Sequence, residues 1–419
     1  MADLLLKNVR ISDNEAPLNV AVKDGVIEQI SDGRIDESGK IIIEGDENVL
    51  IPGLVESHIH LDKALISSRV HNQSGTLKEA IAVTAKAKPT FTREDIYQRA
   101  KKALEMEIIH GVTSMRTHAE FSPDTGFDGF KTILKLKEEY KDMLDIQVVA
   151  FPQDGIFKLP GMKQMMDEAM QMGADVVGGI PYVDPDPKQH IDFIFELAKK
   201  YNKDIDFHQD FFDDADQLTV DYIARKTIEE GFEGRVSVGH ETALAALKPE
   251  KLEPIINLMK KAKINVMSLP ETDLHLGGRN DTYNVRRCVT PIRKLRDGGV
   301  NVSLSTNNIR NPFTPFGNGD IMQVGFLAVP VAHLGGLSDL PTVLEMLTYN
   351  PAKALRLADY GLKVGNKADM VLLDTKRKSD AVIDIPERLY VIKAGRITVK
   401  TEKKISMFRK RERSLETTK

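Results

Sequence analysis

Ten histidines occur in this 419-residue chain, and two of them, His58 and His60, close the apolar run "VLIPGLVESHIHLDK" one residue apart. Alternate side chains of an extended strand share a face, so the two imidazoles point the same way. Two imidazoles on one face suit a cation held at about 2.0–2.1 Å. A bare His-x-His also arises where one ring caps a strand and the other packs in a core. A third ligand comes from "FHQD", in which His208 ends another β-rich run. Together the three point to a metal centre. Further polar residues sit at the ends of similar runs: His118 and Glu120 in "RTHAE", Gln153 in "FPQ", Asp210, His240 in "GHE", Glu271 and Asp273 in "LPETD", and Asn307 and Asn308 in "STNN". His118 and His240 read either as groups behind the ligands or facing a substrate, or as hydrogen-bonded core histidines. The other five, His71, His110, His190, His275 and His333, fall in stretches read as loops or helices, where a solvent-facing role is expected.

Those run ends matter because of the elements that carry them. Short β-rich runs are predicted at 54–59, 112–117, 145–151, 174–180, 204–208, 235–239, 264–269 and 300–305, with helical patterns between them. The helix at "TREDIYQRAKKALEMEIIHG" opens with Thr92 and Asp95 in capping-box spacing and is followed by Gly111. Eight strand-then-helix units predict a (β/α)8 barrel, in which chemistry sits at the C-terminal ends of the strands. A doubly wound open sheet has no support, since no GxGxxG or P-loop pattern follows any strand. The two ends of the chain carry a second pattern. "LNVAVKDGVIEQI" and "RLYVIKAGRITVK" alternate around Asp24-Gly25 and Ala394-Gly395 and read as hairpins. Neither could bury its apolar face alone. The expected organisation is a composite β-sandwich domain from residues 1–52 plus 360–419, around a barrel spanning 53–359.

Composition narrows the classes. Hydrophobic residues make up 41% and charged residues 29%, a globular balance, and 58 basic against 62 acidic side chains leave a net charge of −4. That argues against a nucleic-acid groove. The basic stretch "FRKRER" reads as a solvated tail. The single cysteine, Cys288, excludes disulfides and thiolate zinc sites, including the deaminase fold that pairs H-x-E with P-C-x-x-C. No signal peptide and no membrane span are expected, and a cytosolic protein fits.

The segments "PGLVESHIHLDKA", "NQSGTL", "RTHAE", "IQVVAFPQDGI", "GADVVGGIP", "HLGGRNDTY" and "NPFTPFGNGDIMQV" together resemble the cytosine deaminase group of the amidohydrolase superfamily. "NIRNPFTPFGNGD" is also similar to N-isopropylammelide isopropylaminohydrolase. The resemblance implies a (β/α)8 barrel with a terminal β-sandwich and one divalent metal, zinc or iron, held by His58, His60 and His208. It also implies hydrolytic attack on a ring carbon. Gln153 takes the role of reading the ring's carbonyl edge, His240 that of hydrogen-bonding the attacking water, and Leu77 and Phe313 those of apolar walls. "VGGIP" offers no lysine for a carbamate that would bridge two metals.

Two positions depart from the family, and both handle protons. Asn307 stands where an aspartate serves as ligand and base, and Phe211 stands where a glutamate shuttles the proton. An amide cannot take a proton from water near neutral pH, and a phenyl ring can do neither job. Glu271 is the preferred substitute, with Asp273, Glu120 and Asp210 behind it. With Phe211 as an apolar wall, a creatinine-like ring ranks level with a cytosine-like one. The expected activity is therefore deamination of a small cyclic amidine or guanidine by a homo-oligomeric enzyme. The alternatives are a catalytically impaired binding protein on the same scaffold and hydrolysis of a triazine-type C–N bond.

Overall fold

The computed structural model describes residues 2–33, 35 and 41–408, and it turns the alternating central pattern into one eight-stranded parallel sheet. Its strands are Leu54–Ile59, Val112–Glu120, Asp145–Phe151, Val176–Gly179, Asp204–Gln209, Val236–His240, Asn265–Ser268 and Asn301–Leu304, neighbours in space in the order they occur in the chain. The last strand meets the first just past its end. His60 N donates to Asn307 O at 2.9 Å and Asn307 N to His58 O at 3.0 Å, and this closes the barrel. The second strand runs three residues beyond its predicted end because it stays in register with the third as far as Glu120 opposite Phe151. His118 and Glu120 thus belong to the strand itself.

Helices return the chain between strands for reasons visible in their ends. Arg93–Ile109 starts on Thr92, whose side chain accepts from Asp95 N, and Gly111 at φ +96° takes the left-handed turn after it. Pro187–Tyr201 starts on Asp186, which accepts from Lys188 N and Gln189 N, and stops on Asn202 at φ +50°. Its buried stripe, Ile191, Ile194, Phe195 and Ala198, has helical spacing and includes His190. The solvent-facing role expected for His190 is corrected here. The ring is fully buried, binding Asp184 Oδ2 through Nδ1 at 2.6 Å and accepting from Ile180 N at 3.0 Å, so it staples its helix to the end of the fourth strand.

The terminal segments form two four-stranded sheets. One contains Leu4–Val9, Leu18–Lys23, Val26–Ser31 and Ile41–Glu44; the other contains Val49–Pro52, Met370–Leu373, Arg388–Lys393 and Arg396–Lys400. Leu4, Leu6, Val20 and Ile27 of the first pack with Leu50, Met370, Leu372 and Ile392 of the second. Both predicted hairpins form with positive φ at each turn residue, +50° and +78° at Asp24-Gly25 and +46° and +73° at Ala394-Gly395. Their tips touch, since a Cβ on Gly25 would lie 3.0 Å from Ala394 O and one on Gly395 would lie 2.8 Å from Val22 Cγ1. Residues 409–413 of the basic tail lie outside the described residues. No helix among those described is long and apolar enough to cross a membrane.

A barrel interior of this kind is usually filled with branched aliphatic side chains. Here one interior layer is ionic. Arg116, fully buried, donates to Asp206 Oδ2 at 2.8 Å, to Gln147 Oε1 at 2.9 Å and to Ser237 Oγ at 3.2 Å. Asp206 then carries its other oxygen up to His118 Nε2 at 3.1 Å. Breaking one partner of a buried ion pair strands the other. Arg116→Leu is therefore expected to lower unfolding stability by about 3–5 kcal/mol in chemical denaturation, with Arg116→Lys intermediate.

Candidate metal and catalytic site

His58 and His60 leave the first strand, His208 the fifth, and the barrel's curvature brings the three rings together. His208 Nε2 lies 3.1 Å from His58 Nε2 and 2.9 Å from His60 Nε2. Each of these two spacings suits a pair of nitrogens sharing one small cation at about 2.0–2.1 Å, and the histidine triplets that lie within reach of a common ion are His58, His208 and His240, and His58, His60 and His118. All three rings are buried, and burial, reinforced by the neighbouring histidines and, for His60, first by Lys63, drives each pKa well below the ordinary histidine value. They are neutral, the form that binds metal. Carboxylates stand behind two of them, Asp206 Oδ1 at 4.0 Å from His58 Nδ1 and Glu120 Oε1 at 4.0 Å from His60 Nδ1. Negative charge on that side favours the proton on Nδ1 and turns the Nε2 lone pairs toward the shared point. The donor set therefore fits a divalent cation.

Room for the His58 ring comes from a missing side chain. Gly239 lies opposite His208 in register, and a Cβ there would sit 2.8 Å from His58 Cε1. Beside it, His240 is held on two sides. Its Nδ1 meets Asp273 Oδ1 at 2.7 Å, and its face stacks on Phe211 with centroids 4.1 Å apart and planes 12° from parallel. Burial pushes the Asp273 carboxyl up, and the contact with His240 opposes that shift. Three strand ends here use left-handed backbone on non-glycine residues: Asp210 at φ +42°, His240 and Glu241 at +76° and +54°, and Asn307 at +61°. Strain of this kind persists only where the surroundings over-determine it.

These groups open on a narrow cavity of about 20 Å³ lined by His60, His208 and His240, by Gln153, Asn307 and Asn308, and by Leu77, Phe211 and Phe313. The sequence-derived candidates His58, His60, His208, His240, Gln153, Leu77, Phe211, Phe313 and Asn307 are thus brought together. Asn307 Oδ1 is buried without a hydrogen-bond partner, so it offers a neutral oxygen at the cavity. Glu271 is the exception. It does not line the cavity, and its acidic neighbours are Glu56 and Asp320. The short helix Pro270–Leu276 turns adjacent side chains in different directions, which sends Asp273 to His240 and Glu271 elsewhere. Asp210 is also committed, accepting from Thr219 N and Val220 N at 3.1 Å.

Four contributors escaped the sequence reading. Asp206 shares a strand face with His208 and was findable by the same alternation used for His58 and His60. Gly239, Arg116 and Lys63 gave no local signal. Lys63 enters the cavity and donates to Gln153 Oε1 at 2.8 Å and to Glu120. Lys88 also pairs with Glu120, and these two cations outweigh the cost of burial, holding that carboxylate at about 2.

A model of the amidohydrolase family matches residues 43–399. The chain belongs to the amidohydrolase family. It is 32% identical to a solved 5-methylcytosine deaminase from Klebsiella pneumoniae, liganded with 5-fluorocytosine, with a TM-score of 0.92 over 96% of this chain and 99% of that one. It is 31% identical over 411 residues to the N-isopropylammelide isopropyl amidohydrolase of Pseudomonas sp. (strain ADP), covering 96% of this chain and 98% of the relative. A pterin deaminase of Rhizobium rhizogenes is 28% identical over 90% of this chain and 87% of its own length. This amidohydrolase is accordingly a hydrolase of carbon–nitrogen bonds.

Two outcomes follow from the site geometry. Gly239→Ala should displace the His58 ring and reduce the metal retained after dialysis by about tenfold or more, read by elemental analysis. Burial, with Glu56 and Asp320 nearby, pushes Glu271 up to about 7, so folding favours its protonated form. The stability it contributes is present below its ordinary value of 4.5 and lost as pH rises through about 7. Glu271→Gln should therefore flatten that pH dependence and raise stability above about pH 7 on the order of 1–3 kcal/mol, with kcat and metal content unchanged.

Proposed function

We propose that the protein hydrolyses the bond between a ring carbon and an exocyclic amino group of a small nitrogen heterocycle, releasing ammonia or an amine, with one zinc or iron ion bound. The supporting observation is that the converging Nε2 atoms and the His240–Asp273 pair face one cavity. A divalent cation held by His58, His60 and His208, with Asn307 Oδ1 as a neutral oxygen donor, supplies a Lewis acid and makes water easier to deprotonate. The remaining work belongs to the chain. Gln153 and the walls formed by Leu77, Phe211 and Phe313 orient the ring. His240 takes a proton from the attacking water as its oxygen bonds to the ring carbon, then gives that proton to the departing nitrogen as the C–N bond breaks. Asp273 fixes His240 in the tautomer with its proton on Nδ1, leaving Nε2 free to accept.

This arrangement replaces the two carboxylates absent at Asn307 and Phe211 with a histidine backed by an aspartate. Asp273→Asn should reduce kcat by about 10²–10⁴-fold with metal content unchanged. The test is ammonia release by zinc-loaded enzyme across amino-substituted pyrimidines, amino-triazines, pterin and creatinine. Turnover that survives Asp273→Asn would remove His240 from the proposed role. Tight binding without turnover of any compound would favour a binding protein on this scaffold.

A further inference from the structure

Beside the histidines, several side chains that line the cavity present hydrogen-bond donors. Lys63 Nζ has donors only, so the Gln153 oxygen, 2.8 Å away, must be the atom turned toward it. That leaves the Gln153 amide nitrogen for a ligand. Asn308 is oriented in the same sense, since its Oδ1 accepts from Asn311 Nδ2 at 2.6 Å and its amide nitrogen remains. Thr272 and Thr314 satisfy each other through their hydroxyls at 2.7 Å. Lys63 itself is buried, 3% exposed, with its ammonium 4.8 Å from the Phe313 ring centre. No carboxylate lines this cavity among the described residues. Asp273 lies behind His240, and Glu120 is held by Lys63 and Lys88.

From these contacts we propose that Lys63 determines specificity, selecting rings that carry an oxygen anion. The proposal rests on the hydrolase reading above and narrows its substrate class. A carboxylate at position 211 or 307 would repel such an anion; Phe211 and Asn307 do not. The same electrostatics disfavour protonated guanidine-like rings, which need an acceptor that this wall lacks. The oxygen anion can be a ring enolate or a carboxylate attached to the ring, since both present the same charge to Lys63, Gln153 and Asn308.

The experiment is calorimetric binding to zinc-loaded protein of three pyrimidines that have no leaving amine: uracil, neutral at neutral pH, barbiturate, a ring enolate, and orotate, a ring carboxylate. At least one anion should bind about 10–100-fold more tightly than uracil, the worth of one charge-assisted hydrogen bond, and which anion wins identifies the source of charge. Lys63→Met, checked by circular dichroism and metal content, should abolish that preference. Asn307→Asp preserves shape but places a negative charge in the cavity, so it should also diminish the preference and decides the matter if Lys63→Met does not fold. Equal affinity for uracil and both anions, or a preference unchanged in folded Lys63→Met or in Asn307→Asp, overturns the proposal. Because none of the three ligands turns over, an anion preference with no ammonia release from their amino counterparts would remove the hydrolase reading alone. Turnover of neutral rings without an anion preference would remove this one alone.

Discussion

The His208 imidazole nitrogen, held 3.1 Å from that of His58 and 2.9 Å from that of His60 in a buried site, is repelled by both unless something positive lies between them. The surrounding structure makes that contact tolerable and aimed. Burial keeps the rings neutral, and the carboxylates of Asp206 and Glu120 behind two of them bias the proton away from the convergence point. Each carboxylate is itself balanced by buried cations, Asp206 by Arg116 and Glu120 by Lys63 and Lys88. The site thus rests on a second tier of ion pairs running down into the barrel. Those pairs contribute little net stability, but removing either partner is costly, so they specify geometry more than they stabilise the fold.

The same economy holds His240 on two sides. His240 needs only a fixed tautomer and a fixed plane, and Asp273 and Phe211 supply one each. Phe211 therefore does two things, lining the cavity and holding the plane of the His240 ring. Substituting one carboxylate position for glutamate would add charge and remove the stacking partner of His240.

Charge balance also connects the site with the rest of the barrel. Glu56, Glu107, Glu271 and Asp320 influence one another electrostatically, and burial raises Glu56 and Glu271 to about 7. Against them stands Arg388, paired with Asp320. The cavity itself holds Lys63 and no acid among the described residues. Acids are therefore kept behind the wall and donors in front of it, an arrangement that suits an electron-rich ring.

Much of this molecule is set by local pattern. Short β-rich runs separated by helical patterns placed all eight barrel strands, because the switch between the two kinds of pattern is written locally in the chain. The two glycine hairpins and the caps at Thr92 and Gly111 follow from backbone chemistry that acts within a few residues. His58 and His60 were legible as a pair because a strand's period is fixed, and Asp206 below His208 was legible by the same rule. Direction at a helix end was not. Glu271 and Asp273 are two residues apart on a single turn, and only the packing of Pro270–Leu276 against the barrel sends Asp273 to His240 and Glu271 away from the cavity. Nor did composition reveal that Lys63 is buried and bonded to Gln153, since a lysine's long chain reaches solvent by default and its partners here lie 57 and 90 residues away. The residue types that do chemistry are a property of the sequence. Which carboxylate reaches which nitrogen is decided by strand closure and helix rotation, contacts between segments far apart in the chain that no local period encodes.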